Sequence, residues 1–210
     1  MNDGFFLAGS SLAAVLAVGL ALRRRRERSM LDAWALRHGW SVNPRAGQEL
    51  MERLAGLALM QIGHSRRVLT VVHDPNGVQL FEYVFETGLE HDRETHRWMV
   101  VVVPLMTTCT RATISDERWV LAAASHPAFR RIAVGSAPVN GNGARMAVVD
   151  DEEAWHATLS RQMGNRLTSE PKGRSWEVLP DLLVGYQASP VADKIVGDLV
   201  SAAKEISKMV

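Results

Sequence analysis

VLTVVHDPNGVQLFEYVFET, residues 68–87, is the stretch on which the fold turns. Two runs rich in β-branched and aromatic residues, Val68 to Val72 and Val78 to Thr87, flank Asp74-Pro75-Asn76-Gly77. Proline presets φ for a turn and Asn-Gly tolerates positive φ, so the two runs read as an antiparallel hairpin. On the second run Phe81, Tyr83 and Phe85 share one face, and Val78, Leu80, Glu82, Val84 and Glu86 share the other. A polar loop, Gly88 to Glu94, leads into Thr95 to Val103, whose portion from Trp98 to Val103 is apolar on both faces. A strand of that kind belongs in the middle of a sheet.

Upstream of the hairpin, Leu31, Trp34 and Ala35 recur at helical spacing within Ser29 to His38, with Gly39 where a left-handed cap is wanted. Trp40 to Val42 reads as extended, and Leu50, Met51, Leu54 and Leu57 mark a second amphipathic helix ending near Gly56 and Gly63. Downstream, Met106 to Ala124 fits strand and helix equally. Ile132 to Val134 and Met146 to Val149 read as strands around a Gly/Asn-rich loop at 136–143. Asp150, Asp151, Glu152 and Glu153 suit the N-terminus of a helix that runs through Trp155, Leu159 and Met163 and stops at Gly164 or Asn165. Trp176 to Leu179 and Leu182 to Gln187 form another strand pair around Pro180-Asp181. Ser189 and Pro190 open a last helix with the stripe Val191, Ile195, Leu199, Val200, Ala203 and Ile206, and Lys204 and Lys208 suit its C-terminal dipole. The expected fold is α+β: one domain with a mainly antiparallel sheet, flanking helices and a C-terminal amphipathic helix.

Ahead of that domain, Phe5 to Leu22 is eighteen residues without a charge, roughly 27 Å as a helix and close to a bilayer's hydrocarbon thickness. Asp3 precedes it, and Arg23, Arg24, Arg25, Arg26 and Arg28 follow. That order is the reverse of a cleaved signal peptide. Cationic flanks stay in the cytoplasm, which puts the N-terminus outside and the domain inside. The expectation is a single-pass inner-membrane protein of two parts: a transmembrane anchor with a basic stop over residues 1–28, and a soluble domain over 29–210. The arginines lie where they meet anionic lipid headgroups, and Trp34 is close enough to the anchor to sit at the interface.

The formal charge of +1 follows from the same stretch. Residues 1–28 hold five Arg against Asp3 and Glu27, a net of +3, which leaves −2 for residues 29–210. No basic surface remains in the folded part, so nucleic acid is not an expected partner.

The A-x-x-x-G-W start at Ala35 to Trp40, the F-E-Y-V-F strand at Phe81 to Phe85 and the W-E-V-L-P-D-L-L-V pair at Trp176 to Val184 carry a resemblance. Together with the N-terminal span, they make the chain similar to a widespread group of uncharacterised bacterial membrane-anchored proteins with a cytoplasmic α+β domain. The Gly/Asn-rich residues 140–143 depart from that layout. The resemblance implies fold and topology, and no activity or cofactor comes with it.

Chemistry-bearing motifs are sparse. His91-Asp92-Arg93-Glu94-Thr95-His96, with His64 and His73 in the same meander, is the nearest approach to a zinc site, and His91 and His96 are its candidate ligands. Arg93 among them, and the position between two strands, favour a solvated turn. Asp150 to Glu153 is better explained by capping than by Mg²⁺. Gly141-Asn142-Gly143 has Met146 where a dinucleotide fingerprint needs a third small residue. Gly63-His64-Ser65 has Arg67 where a nucleophile elbow needs its second glycine. Cys109 is the single cysteine, read as a buried thiol, and the six tryptophans read as core anchors. The sequence therefore points to a membrane-anchored interaction or scaffold protein without catalytic residues or cofactor, its protein partner unspecified. The alternative is a metal-assisted hydrolase using the His91–His96 loop.

Overall fold

The computed structural model describes residues 30–124, 130–133, 145–158, 161–188 and 192–209. The expected anchor and its five arginines, the tight element at 125–129 and the Gly/Asn-rich loop lie outside them. Among the described residues no helix is long and apolar enough to cross a membrane.

The described residues begin with a helix at 30–37 (α1), which Gly39 ends at φ +70°, and a short strand, β1 (Ser41–Val42). Helix α2 (Gly47–Arg53) is shorter than its apolar spacing suggests. It caps at Leu54, and Leu57 is buried from the turn that leads to a 3₁₀ segment at Leu59–Gln61. The hairpin forms as β2 (His64–His73) and β3 (Gln79–Thr87), and β4 (Glu94–Pro104) runs beside β3 in unbroken register from Gln79↔Val102 to Thr87↔Glu94. The ambiguous stretch 106–124 contains both elements: β5 (Ala112–Ser115) and α3 (Arg118–Ala124). Then come β6 (Arg130–Ala133), β7 (Met146–Val149), α4 (Glu152–Thr158), α5 (Arg161–Thr168), β8 (Arg174–Val178), β9 (Leu182–Ala188) and α6 (Asp193–Ile206).

These nine strands make one antiparallel sheet in the order β1-β2-β3-β4-β9-β8-β5-β7-β6. Strand β4 lies inside it, and its side chains alternate between two cores as its two-faced apolar pattern requires. Met99, Val101 and Val103 pack on the side of α1 and α6 with Trp155, Trp176 and Leu199. Trp98, Val100 and Val102 pack on the side of α2 and the 3₁₀ segment with Leu54, Phe81 and Tyr186.

Three expectations are corrected by tertiary packing. Helix α5 continues through Gly164 and Asn165 to Thr168. Burial of Met163 and Leu167 outweighs the roughly 1 kcal/mol that glycine costs inside a helix. Helix α6 starts at Asp193 after an extended Ala192, later than the expected opening at Ser189 and Pro190, which lie outside the described residues. It turns Val196 rather than Ile195 fully inward. Trp34 is 3% exposed, stacked on His38 and edge-on to Trp40, so its ring belongs to the core and not to a bilayer interface. Cys109 is buried, as expected of it.

The turn at Asp74 also does more than its sequence announces. Asp74 Oδ1 accepts the backbone N–H groups of Asn76 and Val78 at 2.9 Å, while Oδ2 accepts Lys204 Nζ at 2.7 Å. Lys204 also lies 5.4 Å from the centre of the Trp40 ring. One carboxylate thus shapes the hairpin and ties α6 to it. Asp74→Ala is expected to cost about 1–3 kcal/mol, because the buried Val78 N–H and the partly buried Asn76 N–H lose their acceptor, and Lys204→Met to cost less. Urea midpoints of the two variants measure the difference.

Candidate functional site

The register of β3 and β4 builds a cleft. Phe85 pairs with His96, which puts both side chains on the α2 side of the sheet, their rings stacked at 4.9 Å. Thr87 Oγ1 and His96 Nε2 share a hydrogen bond of 2.6 Å. Trp98 follows two residues along β4, on the same face because the side-chain period is two. It meets Trp119 of α3 edge-on at 5.2 Å and Tyr186 of β9 at 5.7 Å. With Ile62, Glu117 and Ala188 these residues line a cleft of about 380 Å³, a size ordinary for small-ligand sites.

Glu117 reaches the cleft from the residue before α3, its own N–H held by Ser115 Oγ at 2.9 Å. Among the described residues no cation lies within ion-pair distance of its carboxylate. Thr87 and His96, hydrogen-bonded to each other, supply its other polar side chains.

Beneath the cleft-bearing face runs a buried polar cluster of which the sequence bears little sign. Glu177, 1% exposed, lies between Trp176 and Val178 on β8 and points to the opposite face from them. Its carboxylate accepts Ala58 N–H at 2.9 Å, Leu59 N–H at 3.4 Å, Thr113 Oγ1 at 3.3 Å and Tyr186 Oη at 2.9 Å. Burial raises its pKa; hydrogen bonds from Ala58, Tyr186 and Leu59 and the charge of Arg111 pull the other way without cancelling it. Tyr186 is also pushed well above the ordinary tyrosine value, by burial first and then by Glu177. On the other side of β8, Arg145 donates to the carbonyls of Arg174, Glu170 and Pro171, and Glu170 is shared by Arg166 and Arg174. Both clusters fasten one element to another.

The metal loop of the alternative reading does not assemble among the described residues. His91 is exposed on a 3₁₀ turn at Glu90–Asp92, while His96 is committed to Thr87 and Phe85. His64 and His73 end opposite tips of the ten-residue β2, roughly 30 Å apart by strand rise. Among the described residues no group of three His, Cys, Asp or Glu side chains is placed to hold a metal ion. Asp151 caps α4 by accepting Ala154 N–H at 2.9 Å, which gives the acidic run its structural use. His96 is thus brought into a candidate site, though with aromatic neighbours instead of ligands. Sequence reasoning misses Glu117 and the role of Trp119 because both fall in the ambiguous stretch. Ser115-Asp116 before an alanine-rich run is the helix-start signal that could reveal them.

No known family profile matches the chain. It is 32% identical over 115 residues to the NADH-quinone oxidoreductase C subunit from Mycobacterium sp. strains KMS and JLS, a match covering 53% of this chain and 46% of each relative. The chain therefore spans about half the length of the curated relatives it matches. A crystal structure of the mycobacterial trehalose monomycolate transport factor A, TtfA, is similar over 89% of this chain and 93% of that one, with a TM-score of 0.59 and 13% identity. At that identity the likeness establishes a shared fold.

Proposed function

We propose that the protein is a non-catalytic component of a membrane-bound assembly, anchored through residues 1–28 with its α+β domain in the cytoplasm, and that the cleft beside Trp119 is its contact site. The observation that carries this reading is the cleft's lining. Phe85 and Trp98, almost wholly buried, and half-buried Trp119 line an apolar space in which Glu117 is the one acidic residue, the composition of a binding site whose polar groups orient an occupant. Two further facts support it. The similar proteins are by name a subunit of an oxidoreductase and a transport factor. The uncharged run followed by five arginines suits an anchor whose basic flank stays inside.

Arg118, exposed between Glu117 and Trp119, is the position from which to test this reading. With a photo-crosslinking residue at 118 in growing cells, the full chain is expected to give one discrete adduct with a membrane protein. Trp119→Ala is expected to abolish that adduct while the thermal melting profile stays cooperative. An adduct unaffected by Trp119→Ala, or none at all, refutes the reading.

A further inference from the structure

We infer that the cleft recognises a small organic cation, an alkylammonium group of the trimethylammonium type, seated against Trp98, Trp119 and Phe85 with Glu117 as its counter-charge. This inference rests on the reading of the cleft as a binding site and names the chemistry of its occupant. Aromatic faces carry negative quadrupole density and attract cations, indole most strongly. Two indoles meet edge-on at 5.2 Å beside the Phe85–His96 stack, and Glu117 lines the same space as its one acidic residue.

Other occupants fit less well. An anion would face Glu117, which pairs with no cation among the described residues. A bare metal ion would find one carboxylate and no set of three ligands among the described residues. A neutral apolar group would take water from Glu117 without giving its charge a partner. A methylated ammonium group gives up its weak hydration readily, fills an apolar space and neutralises the carboxylate at once.

Three probes separate these occupants by tryptophan fluorescence titration of the full chain in maltoside micelles: choline, its uncharged isostere 3,3-dimethylbutan-1-ol, and dihexanoylphosphatidylcholine. Choline is expected to saturate about tenfold more tightly than the isostere, a difference within the range of a desolvated cation on indole. Glu117→Gln lowers that preference to the part the indoles supply, and Arg118→Gln keeps it whole. If dihexanoylphosphatidylcholine binds more tightly than choline, the natural occupant is a lipid headgroup; if choline alone binds, it is a free solute. Equal binding of choline and isostere, a preference undiminished by Glu117→Gln, or no saturable binding by any probe overturns the inference. The Arg118 adduct persisting in that last case would leave the assembly reading standing. Loss of the adduct with choline selectivity intact would sink the assembly reading alone.

Discussion

Glu177→Ala is expected to be the most damaging single substitution in the described part of the chain. The carboxylate is the common acceptor of two backbone N–H groups at the 3₁₀ segment, a threonine hydroxyl on β5 and a tyrosine hydroxyl on β9. Removing it leaves four donors facing an apolar core, where an unmade hydrogen bond is more costly than a made one is worth. A loss of about 3 kcal/mol or more follows, enough to consume a large part of a typical domain's stability. Glu177→Gln keeps one acceptor oxygen and turns an NH₂ toward the remaining donors, so its deficit lies between wild type and alanine. The pH dependence has a definite sign. The folded-state pKa of Glu177 is raised above the ordinary 4.5, so the folded state holds the proton more tightly than the unfolded one. The stability linked to that proton is fully present below the unfolded value and is lost as pH rises through the folded value. The deficit of Glu177→Gln relative to wild type therefore shrinks as pH rises from about 4 toward neutrality. Urea midpoints of the full chain in nonionic micelles at about pH 4, 5.5 and 7 measure it, and a deficit that grows with pH contradicts the assignment.

Gly185→Ala is the second. Gly185 on β9 pairs with Trp176 on β8 and with Val101 on β4, so its strand is held from both sides. A Cβ there would lie 2.8 Å from both Cε3 and Cη2 of Trp176 and closer still to Cζ3. The indole is fully buried and cannot swing out. Overpacking of this kind costs about 1–3 kcal/mol. The cause is testable in a double-mutant cycle: in a Trp176→Leu background the alanine is expected to cost a small fraction of that. An equal penalty in both backgrounds would trace the effect to the strand backbone instead of the ring.

Both positions show where reading along the chain stops. Gly185 in an apolar strand signals a close approach, but the group that approaches is known only once β8 and β9 are paired. Glu177 interrupts an apolar run, yet nothing nearby in sequence says that Ala58 and Thr113 supply its donors. The same holds for the cleft. The alternation along β3 and β4 already places Phe85 with Tyr83, and Trp98 on a buried face, but Glu117 and Trp119 join them only because β5 lies beside β8.

Local physics governs the features legible along the chain. The turn at Asp74 to Gly77 follows from proline's fixed φ and glycine's tolerance of positive φ. The buried course of β4 follows from an apolar pattern without a polar face, the stripe of α6 to within one residue from its helical period, and the expected anchor from an uncharged run bounded by arginines. Tertiary contacts set the strand order, the burial of Trp34 against Trp40, the persistence of α5 through Gly164, and the convergence of aromatic residues and Glu117 on a cleft. Those outcomes depend on residues tens of positions apart. Their free energy comes from burial and from pairing of polar groups, and neither exists until the segments meet.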